Sequence, residues 1–149
     1  MAEFAHSEVN YALLGGYAVG YYAVPRATKD LDILVSRSAN NLERLAEALQ
    51  RFGAPSKVTR AALTLGPSEI LYMGVPPVRI DILASADGID TDATLSRARR
   101  VHVGELPVFI VALADLMANK AAAGRPQDLA DVAALKKLGR DDSAAEREQ

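Results

Sequence analysis

The stretch LLGGYAVGYYAVPRATKDLDILV, Leu13 to Val35, decides the fold. Its last six residues alternate Leu31, Ile33 and Val35 against Asp30, Asp32 and Leu34, which is the period of a strand with one acidic edge. At its start, the run Tyr11-Ala12-Leu13-Leu14 ends on Gly15-Gly16 and predicts a short buried strand broken by a glycine pair. Between the two, Tyr17–Ala23 predicts one or two helical turns, stopped by Pro25. Residues two apart on a strand share a face, so Asp30 and Asp32 stand about 6–7 Å apart along the backbone. Two unpaired carboxylates at the end of a buried strand are costly unless a cation neutralises them, and their hard oxygens suit Mg²⁺ or Mn²⁺.

Outward from this stretch, Glu3–Val9 forms a short helical lead. Downstream, Ser38 or Asn40 caps a helix whose Leu42, Leu45, Leu49 and Phe52 recur at helical spacing and pack on the sheet, with Gly53 closing it. Val58–Leu65 and Glu69–Met73 read as short strands around the Gly66-Pro67 turn. VRIDIL, Val78–Leu83, is a stronger strand entered through Pro76-Pro77, with Asp81 as its single acid among apolar neighbours. Val101–Val103 and Leu106–Val111, joined by Gly104-Glu105, predict a hairpin or sheet edge.

The last third reads as two helices. Leu113, Leu116 and Met117 form a stripe leading to Lys120, and Leu129, Val132, Leu135 and Leu138 follow Gly124-Arg125-Pro126. Beyond Gly139 the charged tail has no apolar face and is expected to fray. The expected architecture is a single α+β domain over residues 1–139, with a small mixed sheet backed by helices, two closing helices and a tail over 140–149.

The bulk properties narrow the chemistry. A chain of 149 residues, 50% hydrophobic and 24% charged, has the balance of one globular domain. With no cysteine there is no disulfide, thiolate zinc site or cysteine nucleophile, and a reducing cytoplasm is the expected compartment. His6 and His102 are too few and too isolated for a transition-metal site, so a metal here is expected to be oxygen-ligated. A net charge of −2 and a pI near 5.7 argue against a protein that coats nucleic acid by broad attraction. The uncharged run Val9–Pro25 falls short of the roughly 20 residues needed to span a bilayer and contains Gly15, Gly16 and Gly20, so it reads as core. No basic start followed by an apolar run and a cleavage site is present, and neither export nor a membrane partner is expected.

Asp81 supplies a third acid on a second strand, and adjacent strands lie only about 5 Å apart, so three carboxylates can converge on two ions. Two such metals bind a triphosphate, lower the pKa of an attacking hydroxyl and stabilise the leaving pyrophosphate in an in-line displacement. In that scheme Asp30 and Asp32 ligate both ions, while Asp81 holds the acceptor-side ion and takes the acceptor's proton. Gly15-Gly16 lets backbone approach phosphate at the start of a helix, and Arg26, Lys29 and Lys120 are candidates for the triphosphate charge.

Each residue also has a structural reading. Asp30 and Asp32 can pair with Arg26, Lys29 or Arg79, Asp81 with Arg79, and Gly15-Gly16 can be a simple turn. Asp128 and Asp131 can serve as helix N-terminal charge or ion-pair partners, the reading weighted higher for Asp131. Tyr17, Tyr21 and Tyr22 read mostly as core or wall.

On these residues the chain resembles the polymerase-β-like nucleotidyltransferases, whose signature is a hydrophobic residue, Gly-Gly or Gly-Ser, a spacer, and Asp-x-Asp on a strand. In particular it resembles the minimal nucleotidyltransferases, including the AbiEii-type toxins of toxin–antitoxin systems, and more distantly the lincosamide and aminoglycoside nucleotidyltransferases. The likeness runs from about Tyr11 to Leu138. By similarity, Asp81 in RIDIL takes the third-carboxylate position. NKAAAGRPQDLADV is similar to a Lys-plus-Asp motif after the sheet, which makes Lys120 a phosphate ligand and Asp128 a weaker nucleotide-site candidate.

The resemblance implies the nucleotidyltransferase fold, Mg²⁺ or Mn²⁺, and transfer of NMP from an NTP to tRNA, a protein or a small molecule. It also allows a toxin with an antitoxin partner, a non-catalytic nucleotide- or partner-binding member, and an antibiotic-modifying enzyme. Related enzymes often continue into a separate helical substrate domain. Here there is room only for two closing helices, so the acceptor site is expected to need a homo-oligomer or a partner protein.

Overall fold

The computed structural model describes residues 1–23, 30–75 and 78–147, and Arg26 and Lys29 lie outside them. The described residues form seven helices and one six-stranded mixed sheet. In chain order the elements are α1 (Ala2–His6), β1 (Tyr11–Leu14), α2 (Gly15–Tyr22), β2 (Asp30–Val35), α3 (Ala39–Phe52), α4 (Ser56–Leu63), β3 (Ile70–Val75), β4 (Val78–Leu83), α5 (Thr91–Ser96), β5 (Arg99–Val103), β6 (Leu106–Ile110), α6 (Leu113–Ala123) and α7 (Pro126–Arg147). The sheet order is β3-β4-β2-β1-β6-β5. Strands β1 and β6 are parallel, as are β2 and β4, and the remaining neighbours are antiparallel. The α+β architecture and the paired closing helices agree with the sequence reading, and α7 carries helical backbone into the charged tail beyond Gly139.

The two faces of the sheet have different jobs because side chains alternate along each strand. Leu31, Ile33, Met73, Ile80 and Ile82 point to one side, where with Phe4 of α1 and Leu49 of α3 they surround a small apolar cavity of about 80 Å³. Leu42, Leu45 and Leu49 are buried in the same core, as expected from their spacing, but Phe52 at the end of the stripe is 59% exposed. Ser38 caps α3 by accepting a hydrogen bond from the Asn41 backbone N–H at 3.2 Å. The buried Asn41 side chain then ties this corner together, accepting from Asn10 N–H at 2.7 Å and donating to the carbonyls of Ser36 at 2.8 Å and Asn10 at 3.1 Å.

On the other face, register places Leu14, Asp32, Asp81 and Tyr72 in one row across β1, β2, β4 and β3, with Asp30 and Arg79 paired in the next. Helix α2 packs over β1 and β2, and α6 and α7 pack against α2. On β3, at the edge of the sheet, Ile70 and Tyr72 are exposed.

One predicted strand is a helix. Val58–Leu65 forms most of α4, Ser56–Leu63, and its end. The burial pattern explains the difference, because Val58 is half-buried and Ala62 and Leu65 are buried, at spacings of four and three. That is one helical stripe, and the two alanines of Arg60-Ala61-Ala62 favour it over an extended chain. Helix α5 had no counterpart in the sequence reading. It has only six residues and is started by Asp90, whose carboxylate accepts from Ala93 N–H at 2.9 Å.

Candidate functional site

The site begins where β1 ends. Leu14 lies opposite Asp32, and the chain turns directly into α2 at Gly15, which has φ +64°. A Cβ at Gly15 would collide with the Asp32 carboxylate. Glycine is thus required twice here, once for the left-handed backbone and once for the close approach of an acid. Gly15→Ala is expected to cost about 1–2 kcal/mol from the backbone alone and to turn Asp32 away from its present position. A urea titration showing no loss would overturn this account of the glycine.

Asp32 and Asp81 are directly paired across the parallel strands β2 and β4, so their side chains rise side by side with Asp30 one row away. Arg79 answers most of that negative charge. Its Nε donates to Asp81 Oδ1 at 2.8 Å, and its Nη2 donates to Asp81 Oδ2 at 3.0 Å and to Asp30 Oδ2 at 3.2 Å. Its guanidinium also lies over the Tyr72 ring, 4.9 Å from the centroid.

Asp32 is left differently placed. Among the described residues none donates it a hydrogen bond. Its carboxyl is pushed up from the ordinary 3.8 to about 6, first by burial and then by the charges of Asp81 and Asp30, against the opposing pull of Lys120 and Arg79.

The lysine comes from the helical half of the domain. Lys120 of α6 is buried, with its Nζ 3.3 Å from Asp128 Oδ1 and 3.4 Å from Asp131 Oδ2, both carboxylates of α7. Asp128 is 1% exposed and also binds Arg125, accepting from its backbone N–H at 3.2 Å and from its Nε at 2.7 Å. The Arg125 guanidinium is the largest influence holding the Asp128 carboxyl below its ordinary value, with Lys120 adding to it against the cost of burial.

Gly15, Asp32, Lys120, Arg125 and Asp128 all line one open cleft of about 340 Å³ between the sheet and the α6–α7 turn. Its opposite wall is the segment Ser85–Asp87, fastened by a 2.8 Å hydrogen bond from Asn119 Nδ2 to the Asp87 carbonyl. Nearby, a Cβ at Gly88 would meet Ala118 O at 2.7 Å and Ala122 Cβ at 2.5 Å, so this segment lies tight against α6.

The structure therefore brings Asp30, Asp32 and Asp81 onto one sheet face, and gathers Gly15, Lys120 and Asp128 around Asp32. Gly16 lies one residue inside α2 and does not line the cleft. Asp131 is an ion-pair partner of Lys120, the structural role weighted higher from the sequence. Tyr22 is core, donating from its hydroxyl to the Val111 carbonyl at 2.8 Å, while Tyr17 and Tyr21 are exposed.

Sequence reasoning treated Arg79 only as a neutralising partner and gave Arg125, Asn119 and Tyr72 no site role. The signal for Arg79 was present, since it stands two residues before Asp81 and so must share its face.

The donor set suits a hard divalent cation in kind: carboxylate oxygens on adjacent strands, one of them short of positive charge and held against a glycine. In this arrangement, among the described residues, no three acidic or histidine side chains converge closely enough to hold an ion, and Arg79 binds Asp81 and Asp30. No family model matches the chain, and no curated protein matches it. No helix among the described residues is long and apolar enough to cross a membrane.

Proposed function

We propose that the chain is a nucleotidyltransferase of polymerase-β-like fold, transferring NMP from an NTP to a hydroxyl or phosphate acceptor on tRNA, a protein or a small molecule. The observation that carries this reading is the pairing of Asp32 with Asp81 across β2 and β4, with Gly15 packed on Asp32 and a cleft leading from there to Lys120. A structural ion-pair cluster gives no reason for an acid that is held among like charges, accepts no hydrogen bond from the described residues and opens onto a cleft.

Asp30, Asp32 and Asp81 are the residues that would hold Mg²⁺ or Mn²⁺, which would supply charge neutralisation for the triphosphate and for the leaving pyrophosphate. Lys120 lines the cleft with Asp32 as the cation for the donor's phosphates, and the mostly exposed Arg125 lines it too. The acceptor oxygen attacks the α-phosphorus as the bond to the pyrophosphate oxygen breaks, and Asp81 takes the acceptor's proton. The exposed Ile70 and Tyr72 on the edge strand β3 support a partner or a second copy completing the acceptor side. A toxin acting on a cytoplasmic substrate, controlled by an antitoxin, is the branch of the family favoured by the resemblance.

A second reading is supported by a specific observation. Arg79 already neutralises Asp30 and Asp81, as expected of a member that keeps the fold without turnover and binds a nucleotide or a partner. One experiment separates the two. The purified chain is incubated with each radiolabelled NTP, Mg²⁺ and total cell RNA or protein, with Asp30→Ala/Asp32→Ala as the control. Label on an acceptor that disappears in the control supports transfer. No label, and no Mn²⁺ or NTP binding that depends on the acids, leaves the partner-binding module, and NTP binding without label leaves the nucleotide-binding one.

A further inference from the structure

We propose that Arg79 is a resident counter-cation of the acid site, a positioning residue that a divalent ion must displace; this rests on reading Asp30 and Asp81 as metal ligands. Arg79 and Asp81 are two residues apart on β4 and Asp30 is Arg79's partner on β2, so one guanidinium reaches both acids without distorting the sheet. Nε and Nη2 both take part, with both Asp81 oxygens and one Asp30 oxygen accepting from them at 2.8–3.2 Å. Such bidentate, charge-assisted bonds are the strong class, and they engage the lone pairs a divalent ion would need.

The arrangement is one-sided. Asp32 accepts no hydrogen bond from any described residue and faces the cleft, so the site is open at Asp32, while Arg79 holds both oxygens of Asp81 and one of Asp30. A divalent cation shared by the three acids and the Arg79 guanidinium cannot occupy the same oxygens, and the two compete. Arg79 has somewhere to go: its side chain is one-third exposed and rests on the ring of Tyr72, itself half-exposed on the edge strand. In the cation-free protein the same contact relieves the repulsion among the acids. Arg79 thereby keeps the fold intact without metal and sets the threshold at which metal enters.

The test uses the full chain and Mn²⁺ alone, followed by the paramagnetic signal of free Mn²⁺. A guanidinium moves a neighbouring carboxylate's proton affinity by one to three decades, so removing this competitor should tighten Mn²⁺ binding by at least about tenfold in Arg79→Gln. Arg79→Lys keeps the charge but loses the fork and should fall between Arg79→Gln and the wild type. In EDTA, Arg79→Gln should melt below the wild type, and saturating Mn²⁺ should raise its melting temperature by more than it raises the wild type's. Equal or weaker Mn²⁺ binding in both variants, with the wild-type far-UV spectrum retained, overturns the proposal. If that binding is still lost in Asp30→Asn/Asp81→Asn, the metal-site reading survives and Arg79's role does not. Mn²⁺ binding to none of these proteins removes both.

Discussion

Asp32→Asn is expected to make the protein more stable at neutral pH while abolishing the proposed nucleotidyl transfer. The carboxyl is moved from its ordinary 3.8 to about 6 by burial and by Asp81 and Asp30, so the folded state resists its ionisation. A shift of that size corresponds to roughly 3 kcal/mol against the charged form, and solvent at this half-buried group trims the expected gain to about 1–2 kcal/mol. The direction with pH follows from the raised value. Asp32's favourable contribution is fully present below 3.8 and is lost as pH rises through about 6. The variant should therefore exceed the wild type at pH 7.5, and the gap should close as pH falls below about 4. Urea titrations in EDTA at the two pH values measure it, EDTA removing any stabilisation by metal. A wild type that is equally or more stable at pH 7.5 would show that Asp32 is a satisfied structural acid. The loss of the proposed transfer, expected to be about a hundred- to a thousandfold for removal of a charge-stabilising group, is read in the labelling assay.

Why the acids were visible in the sequence and their state was not has a plain physical cause. Strand period alone puts Asp30 and Asp32 on one face, and the apolar frame of RIDIL marks Asp81 as an acid on a second strand. Which strands become neighbours is decided by tertiary pairing, and only the β2–β4 register sets Asp32 against Asp81 and Asp30 against Arg79. The same limit hid the cleft, whose walls come from β1, β2, β4, α6 and α7 and the segment Ser85–Asp87, distant in the chain. Local pattern failed at α4, where Val58, Thr59 and Leu65 carry strand propensity but bury a helical stripe; β-propensity is a statement about fit to a sheet that this segment never joins. It failed at α5 for want of length. Lys120 and Asp128 were drawn as nucleotide ligands from a motif, while their pairing with each other, with Asp131 and with Arg125 depends on how α7 folds back on α6.

That pairing makes Lys120 the position of the second large effect. Lys120→Met is expected to destabilise the protein by about 3 kcal/mol or more, because it removes the cation that two buried carboxylates, Asp128 and Asp131, share. Arg125 still holds Asp128, but it is mostly exposed and contributes from the solvent side. This loss by itself says nothing about phosphate, since a purely structural lysine would give it too. The informative protein is the triple variant Lys120→Met/Asp128→Asn/Asp131→Asn, in which both carboxylates are neutralised along with the cation. Neutral amides keep partners in Gln127 and Arg125, so most of the stability should return on chemical denaturation. If Lys120 also binds the donor's phosphates, NTP affinity measured by calorimetry should stay at least about tenfold below wild type, the scale of one lost charge-assisted contact. Full recovery of both stability and NTP binding would confine Lys120 to holding α6 on α7. Recovery of stability alone assigns it both tasks and explains why a lysine so thoroughly paired still borders the cleft beside Asp32.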